Sequence, residues 1–140
     1  MSLIIAAALL AVPRATTHTH RERFDHAGSA VEATYRGTLR TDMRQVGAVS
    51  APGRPAALRC RWHARVAVDR HARHAAGYVA ARRIEAPALL GGTRPGWCAG
   101  QRAAIQAAVA AAGERMRAHL VEVAARDRRD LIADLERTRG

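Results

Sequence analysis

Cys60 and Cys98 are the two cysteines of the chain, and such a pair can form a bridge, ligate a metal or stay reduced in a core. Without a CxxC neighbour, two distant cysteines do not make a zinc site by themselves. An even count in an exported chain favours a bridge, and two cysteines leave a single connectivity. Closing that loop would stabilise the fold by about 4 kcal/mol in the chain-entropy picture. The expectation is a Cys60–Cys98 disulfide, with two buried free thiols or a metal pair as alternatives.

Histidine supplies a second candidate chemistry. If the chain is cut after Ala15, it begins Thr16-Thr17-His18, with His20 and His26 close behind. A terminal amine at Thr16, two amide nitrogens and the His18 imidazole can form a square-planar site, a geometry suited to Cu(II) or Ni(II). Thr16, His18 and His20 are therefore candidate metal ligands. His71 and His74 form another pair.

Arginine supplies the third. All 23 basic residues are arginine, the formal charge is +11, and lysine is absent. A GC-rich genome accounts for an Ala-, Arg- and Gly-rich, lysine-free chain without any function. Placement adds information: residues 16–100 carry 14 arginines against 6 acids, and residues 101–140 carry 8 against 6. Arg36, Arg40 and Arg44 share one parity of an alternating segment, and Arg59, Arg61 and Arg65 share one parity of the next, with His63 among them. Like charges opposite one another destabilise a sheet. An anionic partner would give that face a purpose: lipid headgroups, envelope polysaccharide or an acidic protein. Nucleic acid is disfavoured, because Trp and Tyr mostly share the apolar parity and leave no exposed stacking surface. The competing reading is a solvated face partly neutralised by Glu32, Asp42 and Asp69.

Enzyme signatures are missing. Ser2, Ser29 and Ser50 are the only serines, and none sits in a nucleophile elbow. Asp25 and His26 are neighbours in sequence, which does not make a dyad. The run Gly91 to Gly96 lacks the lysine of a phosphate loop. No cofactor fingerprint is present, and a non-enzymatic module is expected.

The elements that must position these residues follow from hydrophobic period. Leu3 to Val12 is an apolar run ending at Pro13-Arg14-Ala15, the pattern of a signal peptide over residues 1–15. Ten residues are too few for a membrane span, so the mature chain should be periplasmic or secreted. Residues 16–29 are polar without apolar period and read as a flexible arm. Residues 30–140 then form a single α+β domain.

Val31, Ala33, Tyr35, Leu39 and Met43 alternate with polar residues, marking a strand that is bulged or bent at Gly37. Leu58, Cys60, Trp62, Ala64, Val66 and Val68 mark a second, and Tyr78 to Ala86 a weaker third. Gly47 to Ala56, Arg70 to Gly77 and Pro87 to Gly100 read as connections. From Gln101 the period is helical through Ile105, Val109, Ala112, Met116, Leu120 and Val123. Extending that stripe would bury Asp127, Asp130 and Asp134, so a break into two helices near Asp127 is expected.

The resulting architecture is a three-stranded antiparallel meander with one face covered by a long C-terminal helix. The bridge would tie the helix start to the middle strand, with Trp62 and Trp97 packed around it. The leading function is an exported module making ionic contacts through its Arg-rich sheet face with an envelope polyanion or acidic protein. A cytosolic nucleic-acid binder is the alternative if the N-terminus is retained. A Cu(II)- or Ni(II)-binding arm is the other.

Overall fold

The computed structural model describes residues 16–54 and 57–140. The expected signal peptide, residues 1–15, lies outside the described residues. Strands β1 (Thr17–His26), β2 (Ser29–Val46), β3 (Arg59–His74) and β4 (Val79–Pro95) are followed by helices α1 (Cys98–Ala110) and α2 (Gly113–Arg139). The strands form one antiparallel sheet in the order β1-β2-β3-β4, each paired with its neighbours in sequence.

The fold is α+β with an antiparallel meander, as expected, but the sheet has four strands rather than three. The added strand is β1, formed by the segment read as a flexible arm. Its inward positions are His18, His20, Glu22, Phe24 and His26, all half-buried. One apolar residue in five gives no hydrophobic alternation, so the strand leaves little trace in the sequence. It is held by register, from Thr17 opposite Thr38 to His26 opposite Ser29. Ala27 and Gly28 close that hairpin, both with positive φ, which matches the right-handed twist of the flanking strands.

The other connections shift as well. β3 runs through Arg70 to His74, where a turn was expected, and the chain reverses at Ala75–Tyr78. Within that turn Gly77 has φ +102°. β4 continues to Pro95 through the stretch read as irregular. It does so with two irregularities in pairing, between Ala64 and Ala67 of β3.

Inward side chains of the sheet meet the helices in a core of Val31, Tyr35, Leu39, Val66 and Val68 with Val109, Met116, Leu120, Val123, Leu131 and Leu135. Gly37 does not bulge β2, whose pairing runs through it unbroken on both sides. It is a packing slot: a Cβ there would lie 2.8 Å from Leu120 Cδ2 and 3.2 Å from Met116 Cε, so α2 sits directly on the strand backbone. Two helices are present, as expected, but the break falls at Ala111–Ala112 and not near Asp127. α2 passes through Asp127 unbroken because the sheet supplies a cation there.

That cation is Arg70, whose side chain is fully buried. Its Nη1 donates to both carboxylate oxygens of Asp127, at 3.1 and 2.9 Å, and its Nη2 donates to Asp134. Tyr35 donates its hydroxyl to Asp127 at 3.0 Å. Asp127 therefore accepts three hydrogen bonds from two protein donors, which is what allows a carboxylate to face the core. Further pairs flank this centre: Arg82 with Asp130 at 3.0 Å and Arg128 with Glu22 at 2.8 Å. Arg128 also lies 3.8 Å over the Phe24 ring. α2 is thus fastened to β1, β2, β3 and β4 by named polar contacts as well as by its apolar stripe.

At the other end of the sheet the expected disulfide joins Cys60 to Cys98 with Cα atoms 4.9 Å apart. Cys60 is buried on β3, and Cys98 is the first residue of α1. Trp62 is partly buried, but Trp97 is 59% exposed and does not pack into the core. Gln45 completes the junction. Its Nε2 donates to the Arg59 and Gly96 carbonyls at 2.8 and 3.0 Å, and its Oε1 accepts from the Cys98 backbone N–H at 2.7 Å. The last contact satisfies one of the unpaired donors at the α1 N-terminus.

Candidate functional site

The face of the sheet opposite the helices carries the arginines singled out above. Arg36, Arg40, Arg44, Arg59, Arg61 and Arg65 are all exposed there. Register decides which of them face one another. Arg40 is directly opposite Arg65, and Arg44 directly opposite Arg61. Arg59 continues the row, between Val46 on β2 and Pro95 on β4. Asp42 is the one carboxylate among these five, and it lies 3.3 Å from His63, its cross-strand neighbour.

Arg36 belongs to different surroundings. It is opposite Asp69, which pairs with Arg83 at 3.5 Å, and Arg83 in turn holds Glu85 at 2.8 Å. Arg23 lies 3.9 Å from Glu32 nearby. The outer face therefore divides into a mixed-charge half and a basic half. Among the described residues, Arg40, Arg44, Arg59, Arg61 and Arg65 make no ion pair. Along each strand, positions four apart are separated by about 13 Å, so the two opposed pairs make two rungs of positive charge.

The basic half is also the braced half. The disulfide and Gln45 fix β2, β3 and the α1 start against one another. Gly47 follows β2 with φ +84°, and a Cβ there would stand 2.0 Å from the Ala57 carbonyl oxygen. No other residue fits that crossing without moving the chain. Val46, Gly47, Ala57, Arg59, Arg61 and Thr93 surround a shallow, open hollow of about 490 Å³ beside the cluster. The guanidinium groups can donate bidentate hydrogen bonds to phosphate, sulfate or carboxylate oxygens.

The other candidates are not assembled. Thr16, His18 and His20 lie at the start of the sheet rather than on a free arm. Thr16 accepts from Leu39 N–H at 3.1 Å, His18 is opposite Gly37, and His20 Nε2 lies 3.3 Å from Glu22 Oε1. Thr17 and His18 are thus part of an extended strand paired with β2. Among the described residues no group of three or more His, Cys, Asp or Glu side chains is placed to hold a metal. Asp25 and His26 point to opposite faces of β1, and His26 instead lies 3.9 Å from Glu136 of α2.

Two features escaped the sequence reading. The Arg70 cluster was foreshadowed by the parity of Arg70 with Val66 and Val68 and by three aspartates on the helix stripe. The second, a hollow between β4 and α2, has no sequence signal, because it arises from an irregular pairing. Comparison with protein-family models, with curated proteins and with solved structures finds no match to this chain. The class is that of a disulfide-bonded α+β domain, in which no described helix is long and apolar enough to cross a membrane.

Proposed function

We propose that this chain is an exported, non-enzymatic module that binds an anionic envelope component, a polymer or acidic protein, through Arg40, Arg44, Arg59, Arg61 and Arg65. The observation that carries the reading is the pair of cross-strand contacts Arg40–Arg65 and Arg44–Arg61 without carboxylate partners. Such contacts oppose folding, while the mixed-charge half of the same face has its acids in place. An incoming anion relieves the repulsion that water only screens. The disulfide supports an oxidising compartment, and the apolar N-terminal run supports the export that would deliver the chain there.

The test is binding to dextran sulfate and to phosphatidylglycerol vesicles across a salt series. With about four charge contacts to a dense polyanion, affinity should fall roughly ten- to a hundredfold between 50 and 200 mM salt. The quadruple variant Arg40→Gln, Arg44→Gln, Arg61→Gln, Arg65→Gln should lose most of the binding with its circular dichroism unchanged. Equal binding by parent and variant would leave the cluster as solvated surface. Tighter binding to nucleic acid than to dextran sulfate, by protein that retains Met1, would favour the cytosolic alternative.

A further inference from the structure

We infer that the hollow between β4 and α2 is a binding site for a small amphipathic anion, an organic molecule with an apolar body and one acidic group. It is separate from the arginine face and does not depend on that reading.

Its origin is the irregular pairing of β4. Between Ala64 and Ala67 of β3 the partner strand runs from Leu90 to Glu85, so five steps of β4 are matched to three of β3. Two extra residues are thereby accommodated in β4, next to Pro87, which has no N–H to contribute to a ladder. Bulges of this kind recur beside functional sites, where they re-aim side chains. Here the bulged stretch from Ile84 to Leu89 forms one wall of a hollow of about 440 Å³, and His119, Val123 and Arg126 of α2 form the other. That volume lies in the range of small-molecule sites, and a mostly apolar lining with a few polar groups is their usual character.

The polar groups define the ligand. His119 Nε2 is shielded from solvent and has no hydrogen-bond partner among the described residues, an arrangement that proteins otherwise avoid. Burial and the nearby Arg126 charge both hold the imidazole toward its neutral form, in which one ring nitrogen donates and the other accepts. Arg126 brings the positive charge. Its partner Glu122 is 3.8 Å away and exposed with it, a weak pair that an incoming acid can displace. Glu85, the one acid in the lining, is engaged by Arg83 at 2.8 Å and does not oppose an anion. Ile84, Leu89 and Val123 supply the apolar surface.

Anilinonaphthalene sulfonate, two aromatic units carrying one sulfonate, is a suitable probe. The folded full chain should bind it saturably near one to one, with amide shifts confined to residues 84–89 and 119–126. Ala86→Trp, which fills the hollow from a half-buried position in its lining, should abolish binding without altering the circular dichroism. Arg126→Gln should weaken it about tenfold, and His119→Phe should weaken it with the apolar walls kept. The quadruple arginine variant should bind the probe as the parent does. Unsaturable binding, shifts outside those two segments, or undiminished binding by both Ala86→Trp and Arg126→Gln would overturn the assignment.

Discussion

The guanidinium of Arg70 has no route to water, so its charge is compensated by Asp127 and Asp134 or not at all. Replacing Arg70 with Met leaves Asp127 buried among apolar groups and should cost about 3–5 kcal/mol in urea unfolding. The double variant Arg70→Met, Asp127→Leu should recover a large part of that loss, because it removes both charges and fills the space. Acid should act through Asp134, whose hydrogen bond to Arg70 holds its carboxyl below the ordinary value of 3.8. A depressed folded pKa gives stability that is present above that ordinary value and is lost as pH falls through the folded one. Stability should therefore drop below about pH 4, and less steeply in Asp134→Asn. Tyr35 works at the other extreme. Burial and Asp127 push its phenol above the usual value of 10.0, so stability should decline as pH rises past 10, and Tyr35→Phe should remove that part of the decline.

Among the elements, the disulfide and the Arg70 cluster fasten opposite ends of the helical layer to the same strand, β3. Cys60→Ser should remove the constraint on a 38-residue separation, worth about 4 kcal/mol in the unfolded chain, and lower the melting temperature by on the order of 10 °C. Reduction of the parent should give a similar shift, which calorimetry with and without reductant would check. β2 and β3 were legible because half-buried strands alternate, and Cys60 could be placed inward from that alternation alone. β1 was not, because its inward positions meet α2 through Glu22 and His26, with Phe24 the one apolar side chain among them. The helix break was misplaced for a related reason. An aspartate on an apolar stripe is a stop signal only when no cation waits across the interface, and Arg70 lay in what read as a turn. The bulged part of β4 loses the period of two where its pairing slips, and the hollow that it creates was hidden with it.

For the molecule as a whole, the +11 charge is unevenly spent. On the helix side, Arg117, Arg126, Arg128 and Arg137 meet acids in pairs, and on one half of the sheet Arg23 and Arg83 do the same. The remaining half holds two rungs of like charge. Changing Arg40, Arg44, Arg61 and Arg65 to Gln should therefore raise the melting temperature at low salt, by roughly 1–4 °C. The gain should fade as salt increases, since screening removes the repulsion in the parent. A variant that is more stable and binds less would separate the two roles of these residues. Their identities and parity could be read from sequence, but the pairing of Arg40 with Arg65 and Arg44 with Arg61 required the register.

The Arg70 cluster also orders events in time. Tyr35 and Asp127 are 92 residues apart, and Arg70 and Asp127 are 57 apart. All four strands leave a ribosome before the aspartates that neutralise the buried cation. Until then a closed sheet would hold an unpaired charge on its inner face, which costs several kcal/mol. The meander can form hairpin by hairpin, yet it cannot settle into its final state without α2. Under the export proposed above, a chain threaded unfolded through a pore would benefit from such a delay, because its lock arrives after nearly everything that it secures.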